Sequence, residues 1–167
     1  MAHEHASRAY SLAMKSGNPY LRVYAQHCRG LSHSIAGRLT SAIEDLSGAL
    51  NFARSRKAGL ENESRILADL AHVYKQNGET AIALSTVQEA IQIATIRHAR
   101  VPECLARIVH AALLSGSRNS DQAATAMSEL ERARDLLQET GALIYEPLFR
   151  SIHSEVGSLR KASNKAS

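Results

Sequence analysis

The sequence predicts an all-α protein, a right-handed α-solenoid of antiparallel helix hairpins with about eight helices. The first observation behind this prediction is a short motif, an alanine followed at the third and fourth positions by apolar residues. The motif begins at Ala9, Ala49, Ala90 and, more loosely, Ala133, so the steps are 40, 41 and 43 residues. Apolar residues that return at helical spacing with such a period are typical of helical repeats, in which each unit buries its apolar face against the next.

The composition is the second observation. Hydrophobic residues make up 44% of the chain, but aromatic residues only 4%, and there is no Trp. Sheet cores are enriched in β-branched and aromatic residues, whereas small side chains let helices approach one another closely. The composition therefore favours packed helices.

Helix-terminating residues, the third observation, divide the chain into about eight segments. Asn18-Pro19 separates the first helix from the second, and Pro102 suits the first turn of the sixth, where the missing N–H has no intrahelical partner. Asn119-Ser120-Asp121 is predicted to cap a long helix over residues 122–140, and the last helix is predicted to begin near Leu143. Other helix ends are predicted at Gly37, Gly59, Gly78, Gly116 and Gly141.

Residues 64–97 form the most regular repeat. Large and small apolar residues share one face of its first helix, a glycine marks the turn, and a second apolar face follows. These positions are Leu67, Leu70, Ala71, Tyr74, Gly78, Ala83, Val87 and Ala90. This pattern resembles the tetratricopeptide repeat, whose two helices pack as a hairpin.

Two more units resemble this repeat, at residues 23–56, with Gly30 at the close approach of the two helices, and at 102–138. Partial repeats are predicted at 2–16 and 143–160. Together they predict one repeat domain over residues 1–160, followed by a disordered tail at 161–167.

The long period and the segment around Glu139-Thr140-Gly141 and Tyr145-Glu146-Pro147 resemble the C-terminal tetratricopeptide region of large bacterial regulators. Those regulators pair a nucleotide cyclase or a LuxR-type DNA-binding domain with an ATPase module. The resemblance implies a non-catalytic protein-interaction module, the C-terminal part of such a signalling protein. It implies no cofactor.

The charge and the apolar runs narrow the possible partners. The net charge is +4, with acidic residues interleaved among the basic ones, which indicates a solvated surface and no nucleic-acid interface. No apolar run is long enough to span a membrane, and the N-terminal residues do not resemble a secretion signal. We therefore expect a cytoplasmic protein.

Enzymatic and metal sites are not predicted. No phosphate-binding loop, zinc-protease motif or nucleophile elbow occurs, so there are no candidate catalytic residues. His3 and His5 are two positions apart, which places them on different faces of a helix. Cys28 and Cys104 lack zinc-ligand spacing, and both are predicted to be buried thiols.

The candidate binding site is the concave groove that the first helices of successive repeats form in the tetratricopeptide family. Its middle is predicted to be basic, and a protein or peptide with acidic side chains would gain charge-assisted hydrogen bonds there. The residues predicted to bind the partner are Tyr24, His27, Arg65, His72, Lys75, Gln76 and His110.

The helix at 2–16 is predicted to lack the first helix of its own repeat and so to expose an apolar face. A second copy of the chain could cover this face through Ala6, Ala9, Tyr10 and Ala13. Two alternatives to the partner-binding module follow. The chain could be a self-associating scaffold, or a sensing domain that binds a small anion in the basic groove.

Overall fold

Eight α-helices and two short 3-10 turns make up the described chain, with no strand in it. The structure is a computed structural model that describes the backbone at residues 2–116 and 120–165, and the side chains at 3–116 and 121–158. The helices are α1 (Ala2–Ser16), α2 (Pro19–Ile35), α3 (Leu39–Arg56), α4 (Glu63–Gln76), α5 (Thr80–Ile96), α6 (Arg100–Leu114), α7 (Ser120–Thr140) and α8 (Glu146–Lys165). The 3-10 turns are Leu60–Asn62 and Leu143–Tyr145. The all-α prediction is confirmed.

Most helix ends follow the chemistry of the residues found there. Asn18 caps α2, since its Oδ1 accepts hydrogen bonds from the backbone N–H groups of Tyr20 (2.9 Å) and Leu21 (3.3 Å). Gly78 ends α4 with φ +82°, a left-handed conformation that suits glycine. The end of α5 differs, because His98 takes the left-handed conformation there, with φ +54°.

The chain divides into two compact units, residues 1–86 and 87–167, where the sequence predicted one domain. The division falls within α5. In a repeat array each element contacts mainly its neighbours, so contacts are sparse across many points of the chain. The helix α8 extends to Lys165, and the predicted repeat domain over residues 1–160 and the disordered tail at 161–167 stay predictions. Residues 117–119 of the predicted loop and cap lie outside the described residues.

In the first unit, α1 packs on α2, α2 on α3, and α3 on α4. The core contains Val23, Leu46, Ile66 and Leu67, all at most 1% exposed. Gly30 lets α2 and α3 approach closely, because a Cβ there would lie 2.8 Å from Cγ of Leu46. The pairing of α2 with α3 therefore depends on a residue without a side chain.

In the second unit, α6 packs on α7 and on α8, and α7 packs on α8. Ile108, Leu130, Leu136 and Val156 are almost completely buried. Cys104 is also buried, and burial together with the charge of Glu103 raises the pKa of its thiol to about 11. The prediction that Cys28 is buried is wrong. Its thiol is exposed on α2.

Ala71 and Ala90 are both fully buried, which makes them suitable tests of close helix packing. We expect Ala71→Leu or Ala90→Leu to lower the free energy of unfolding by about 1–3 kcal/mol, because added methyl groups overpack a filled core. Urea unfolding followed by circular dichroism measures this loss. The matched control is Ala81→Leu, since Ala81 is exposed on α5. Equal stability of all three variants would contradict close packing at these alanines.

Candidate functional site on helices α2 and α4

The structure places six of the seven predicted partner-binding residues in the first unit. Tyr24 and His27 lie on α2, and the remaining four lie on α4 or at its end: Arg65, His72, Lys75 and Gln76. His110 lies on α6, in the second unit. The site described here is the face of the first unit that α2 and α4 share, which we call the α2/α4 face.

Four side-chain contacts join α2 to α4 and to the 3-10 turn before it, one of them between His27 and Asn62. The Tyr24 hydroxyl donates to Glu61 (2.9 Å), His27 Nε2 lies 2.8 Å from Asp69 Oδ2, and Ser34 Oγ donates to Gln76 (3.5 Å). Residues that come later in α2 contact residues that come later in the 3-10 turn and α4. The two helices α2 and α4 therefore run in the same direction. This arrangement is expected of the first helices of two successive hairpins.

His27 is buried in this network and has both ring nitrogens occupied. Its Nε2 faces the Asp69 carboxylate, and its Nδ1 lies 3.1 Å from Nδ2 of Asn62. A carboxylate accepts hydrogen bonds, so Nε2 donates in the contact with Asp69. The side chain is only 7% exposed. His27 therefore holds α2 against α4 and presents little surface to a partner.

Arg65, Asp69, His72 and Gln76 follow one another on one stripe of α4, at the spacing of helix neighbours. Arg65 Nε donates to Asp69 Oδ2 (3.0 Å), and its side chain is 30% exposed. Gln76 Nε2 lies 3.0 Å from Nε2 of His72. Burial, and then the charge of Lys75, lower the pKa of His72. The ring therefore gains its charge at a lower pH than an ordinary histidine.

Lys75 lies beside this stripe, half-buried, and forms no ion pair with a described carboxylate. Tyr24 is 42% exposed, and Gln76 is exposed. The hydrogen bond to Glu61 and partial burial raise the pKa of Tyr24, so its hydroxyl stays protonated at neutral pH. The face thus offers two cationic side chains, one phenol and one amide.

An exposed apolar stripe on α2 borders this polar region, and the sequence did not single out most of it. Tyr20 is 51% exposed and Ile35 is 88% exposed. Together with Tyr24 and Leu31 they lie at intervals of four, seven and four residues, which places them along one side of the helix. This spacing alone predicts that Tyr20, Leu31 and Ile35 lie on the side of α2 that bears Tyr24. Aromatic residues beside cations are common in protein interfaces.

His110 belongs to a buried ionic cluster in the second unit. Its Nδ1 lies 3.1 Å from Glu129 Oε1, and the residue is 7% exposed. Arg107 donates to Glu129 (2.6 Å) and to Glu103, which is 3% exposed. His110 is therefore directed at α7, so its predicted role in binding a partner stays a prediction.

The four residues predicted for oligomerisation share one face of α1 but differ in exposure. Ala13 is buried, Ala6 and Tyr10 are half-buried, and only Ala9 is exposed. The Tyr10 ring lies under the guanidinium of Arg29 on α2, 3.8 Å from its carbon to the ring centroid. Much of the predicted face is thus covered by α2 of the same chain. Self-association through α1 stays a prediction.

Among the described residues, no group of three or more histidine, cysteine or acidic side chains is arranged to hold a metal ion. Nor does any described helix combine the length and apolar character that crossing a membrane requires.

No family model matches the chain, and no curated protein matches its sequence. Among solved structures, the chain is similar to the apo form of RapI, with a TM-score of 0.67 and 13% sequence identity. The match covers 99% of this chain and 62% of the RapI chain, so the chain spans less than two thirds of RapI. At this identity the likeness is one of fold. The chain therefore has an all-α helical-repeat fold of the kind found in RapI.

Proposed function

We propose that this protein is a non-catalytic interaction module of the tetratricopeptide type that binds an acidic peptide segment of a partner protein on the α2/α4 face. The module belongs to a larger bacterial signalling protein in the cytoplasm, such as a nucleotide cyclase or a transcriptional regulator. The resemblance of residues 64–97 to a tetratricopeptide repeat and the fold shared with RapI support the type of module.

One observation carries the proposed binding mode. Tyr20, Tyr24 and Ile35 are exposed on one side of α2, and contacts of Tyr24 and Ser34 join this side to Glu61 and to α4, the helix that bears both cations. Apolar and aromatic surface supplies binding free energy, and cations beside it select an acidic segment. The parallel first helices offer an extended strip that suits a peptide. His27 and Asp69 hold the two helices in this arrangement.

The test is a variant with both cations removed, Arg65→Gln/Lys75→Glu. Partners captured on the wild-type chain are identified by mass spectrometry, and their affinity for both proteins is measured by calorimetry. We expect the variant to bind at least about tenfold more weakly, because charge-assisted hydrogen bonds are lost. Glutamine is used at position 65 because a glutamate there would repel Asp69, the present partner of Arg65.

The control is Arg8→Gln/Lys15→Glu, which changes the net charge equally on exposed positions of α1. Circular dichroism checks that every variant is folded. An unchanged affinity for the α4 variant, or an equal loss in the α1 variant, would contradict recognition by the α2/α4 face.

A further inference from the structure

A cavity of about 390 Å³ lies on another side of the first unit, where the end of α1, the start of α2 and the end of α3 meet. Its apolar wall consists of Ala13, Met14, Pro19 and Phe52, and its cationic wall of Arg22 and Arg56. Arg22 lies two residues before Tyr24, so the two side chains point to different sides of α2. The cavity is therefore separate from the α2/α4 face, and its volume is in the range of small-molecule sites.

The two arginines that line this cavity differ from their neighbours in charge pairing. Arg29, Arg54 and Arg65 each lie against a carboxylate, at 3.0 Å or less. Arg22 and Arg56, in contrast, form no ion pair with any carboxylate in the described part of the chain. The fold thus collects two uncompensated positive charges at one cavity.

The phenyl ring of Phe52 lies close to both guanidinium groups. The central carbon of Arg22 lies 3.9 Å from the ring centroid, and that of Arg56 lies 5.9 Å from it. The Nε atom of Arg22 is shielded from solvent and has no acceptor among the described residues. A donor kept from water without an acceptor costs free energy, and an anion that enters the cavity brings acceptors for this guanidinium.

The start of a helix commonly binds anions through its free backbone N–H groups, but in α2 two of these groups are already occupied. Asn18 already accepts hydrogen bonds from the N–H groups of Tyr20 and Leu21. The side chains of Arg22 and Arg56 must therefore hold the anion. A guanidinium matches the planar geometry of a carboxylate and the tetrahedral oxygens of a phosphate through paired hydrogen bonds.

We propose that this cavity binds a small organic anion, with its carboxylate or phosphate between Arg22 and Arg56 and its apolar body against Phe52, Met14 and Pro19. The apolar wall distinguishes such a ligand from an inorganic anion. The mixed lining also disfavours a neutral apolar molecule, because that ligand would leave the shielded Nε of Arg22 without an acceptor.

Methionine methyl groups labelled with carbon-13 provide the readout in the intact chain. Met14 lines the cavity, whereas Met127 lies on α7 and serves as an internal control; Met14→Leu and Met127→Leu each remove one signal and so assign these two among the three methionines of the chain. Phenyl phosphate and benzoate are the probes, and the tighter of them identifies the preferred anionic group. We expect a saturable shift of the Met14 signal alone, with millimolar affinity or better. Inorganic phosphate and benzyl alcohol, which each lack one half of the ligand, should bind at least about tenfold more weakly.

Arg22→Gln and Arg56→Gln should each weaken binding of the better probe by about tenfold, the loss expected for a charge-assisted hydrogen bond. Arg8→Gln removes the same charge from an exposed position of α1 and should leave the affinity unchanged. Arg56 is exposed at the end of α3, so its variant is expected to fold even where the loss of Arg22 perturbs α2. Circular dichroism checks both.

The proposal is overturned if neither probe shifts Met14, if benzyl alcohol or phosphate alone binds as tightly as the probes, or if Arg8→Gln weakens binding as much as Arg56→Gln. Capture of a protein partner on the α2/α4 face should be unaffected in Arg56→Gln. A result that contradicts ligand binding in the cavity therefore does not contradict partner binding on the α2/α4 face, and the reverse also holds.

Discussion

Replacing Arg107 with leucine is expected to lower the free energy of unfolding by about 3–5 kcal/mol, because it leaves two carboxylates without their main partner in a buried site. Arg107 lies between Glu103 and Glu129, at 2.8 Å and 2.6 Å, and the side chains of both acids are at most 15% exposed. Arg132, the other cation near Glu103, is 3.8 Å away. Urea unfolding followed by far-UV circular dichroism measures the change, since the chain has no Trp for fluorescence.

The control for this prediction is Arg150→Leu in the same unit. Arg150 pairs with Glu146 across one turn of α8, but its side chain is 75% exposed. Exposed pairs contribute less than about 1 kcal/mol, since water and salt screen them. Similar losses of stability in the two variants would show that burial does not increase the contribution of Arg107 to stability.

The cluster also predicts how stability changes in acid. Burial alone would raise the pKa of Glu129, but hydrogen bonds from His110 and Arg107, together with their charges, lower it below its ordinary value. The ionised carboxylate therefore stabilises the folded chain at neutral pH. This contribution is lost as the pH falls through the ordinary range of glutamate towards the lower folded pKa. In Arg107→Leu the acid-dependent loss should be smaller.

The sequence predicted the helices well because their ends are determined by local chemistry. Asn18-Pro19 and Gly78 act within a single turn, so no knowledge of the folded chain is needed to place them. The end of α5 has no such residue. His98 adopts a left-handed conformation there, with the backbone N–H of Ala99 bonded to the carbonyl of Ala94 (2.8 Å). The helix thus ends in a local backbone motif built on a histidine, and a search for glycine and proline does not find such an end.

The candidate site was predicted less completely. Helical spacing predicts the side of the helix on which a residue lies, but not how far it is buried or which residues it contacts. Spacing placed His72 and Gln76 on one side of α4. The partner of His27, however, is Asp69, 42 residues away, and that of His110 is Glu129, 19 residues away. Only the packing of two helices brings these pairs together. The same packing covers Tyr10 and Ala13 of α1, which the sequence predicted to be free for a second copy.

Asp69→Ala is expected to lower the free energy of unfolding by about 3 kcal/mol, since it leaves the buried Nε2 proton of His27 without an acceptor and removes a charged partner of Arg65. Glu44→Ala is the control, because Glu44 is exposed in the same unit.

The same substitution separates the structural role of the α2/α4 face from its proposed role in binding. In the proposed function Asp69 would compete with the acidic partner for Arg65, so the folded Asp69→Ala protein should bind that partner more tightly than the wild type. Calorimetry at a temperature where both proteins are folded measures this affinity, and urea unfolding measures the stability. A stability equal to that of Glu44→Ala would show that the contact between His27 and Asp69 does not hold α2 against α4. A weaker affinity despite normal folding would show that Arg65 recognises the partner only while Asp69 positions it, since a released guanidinium would then be in the wrong place.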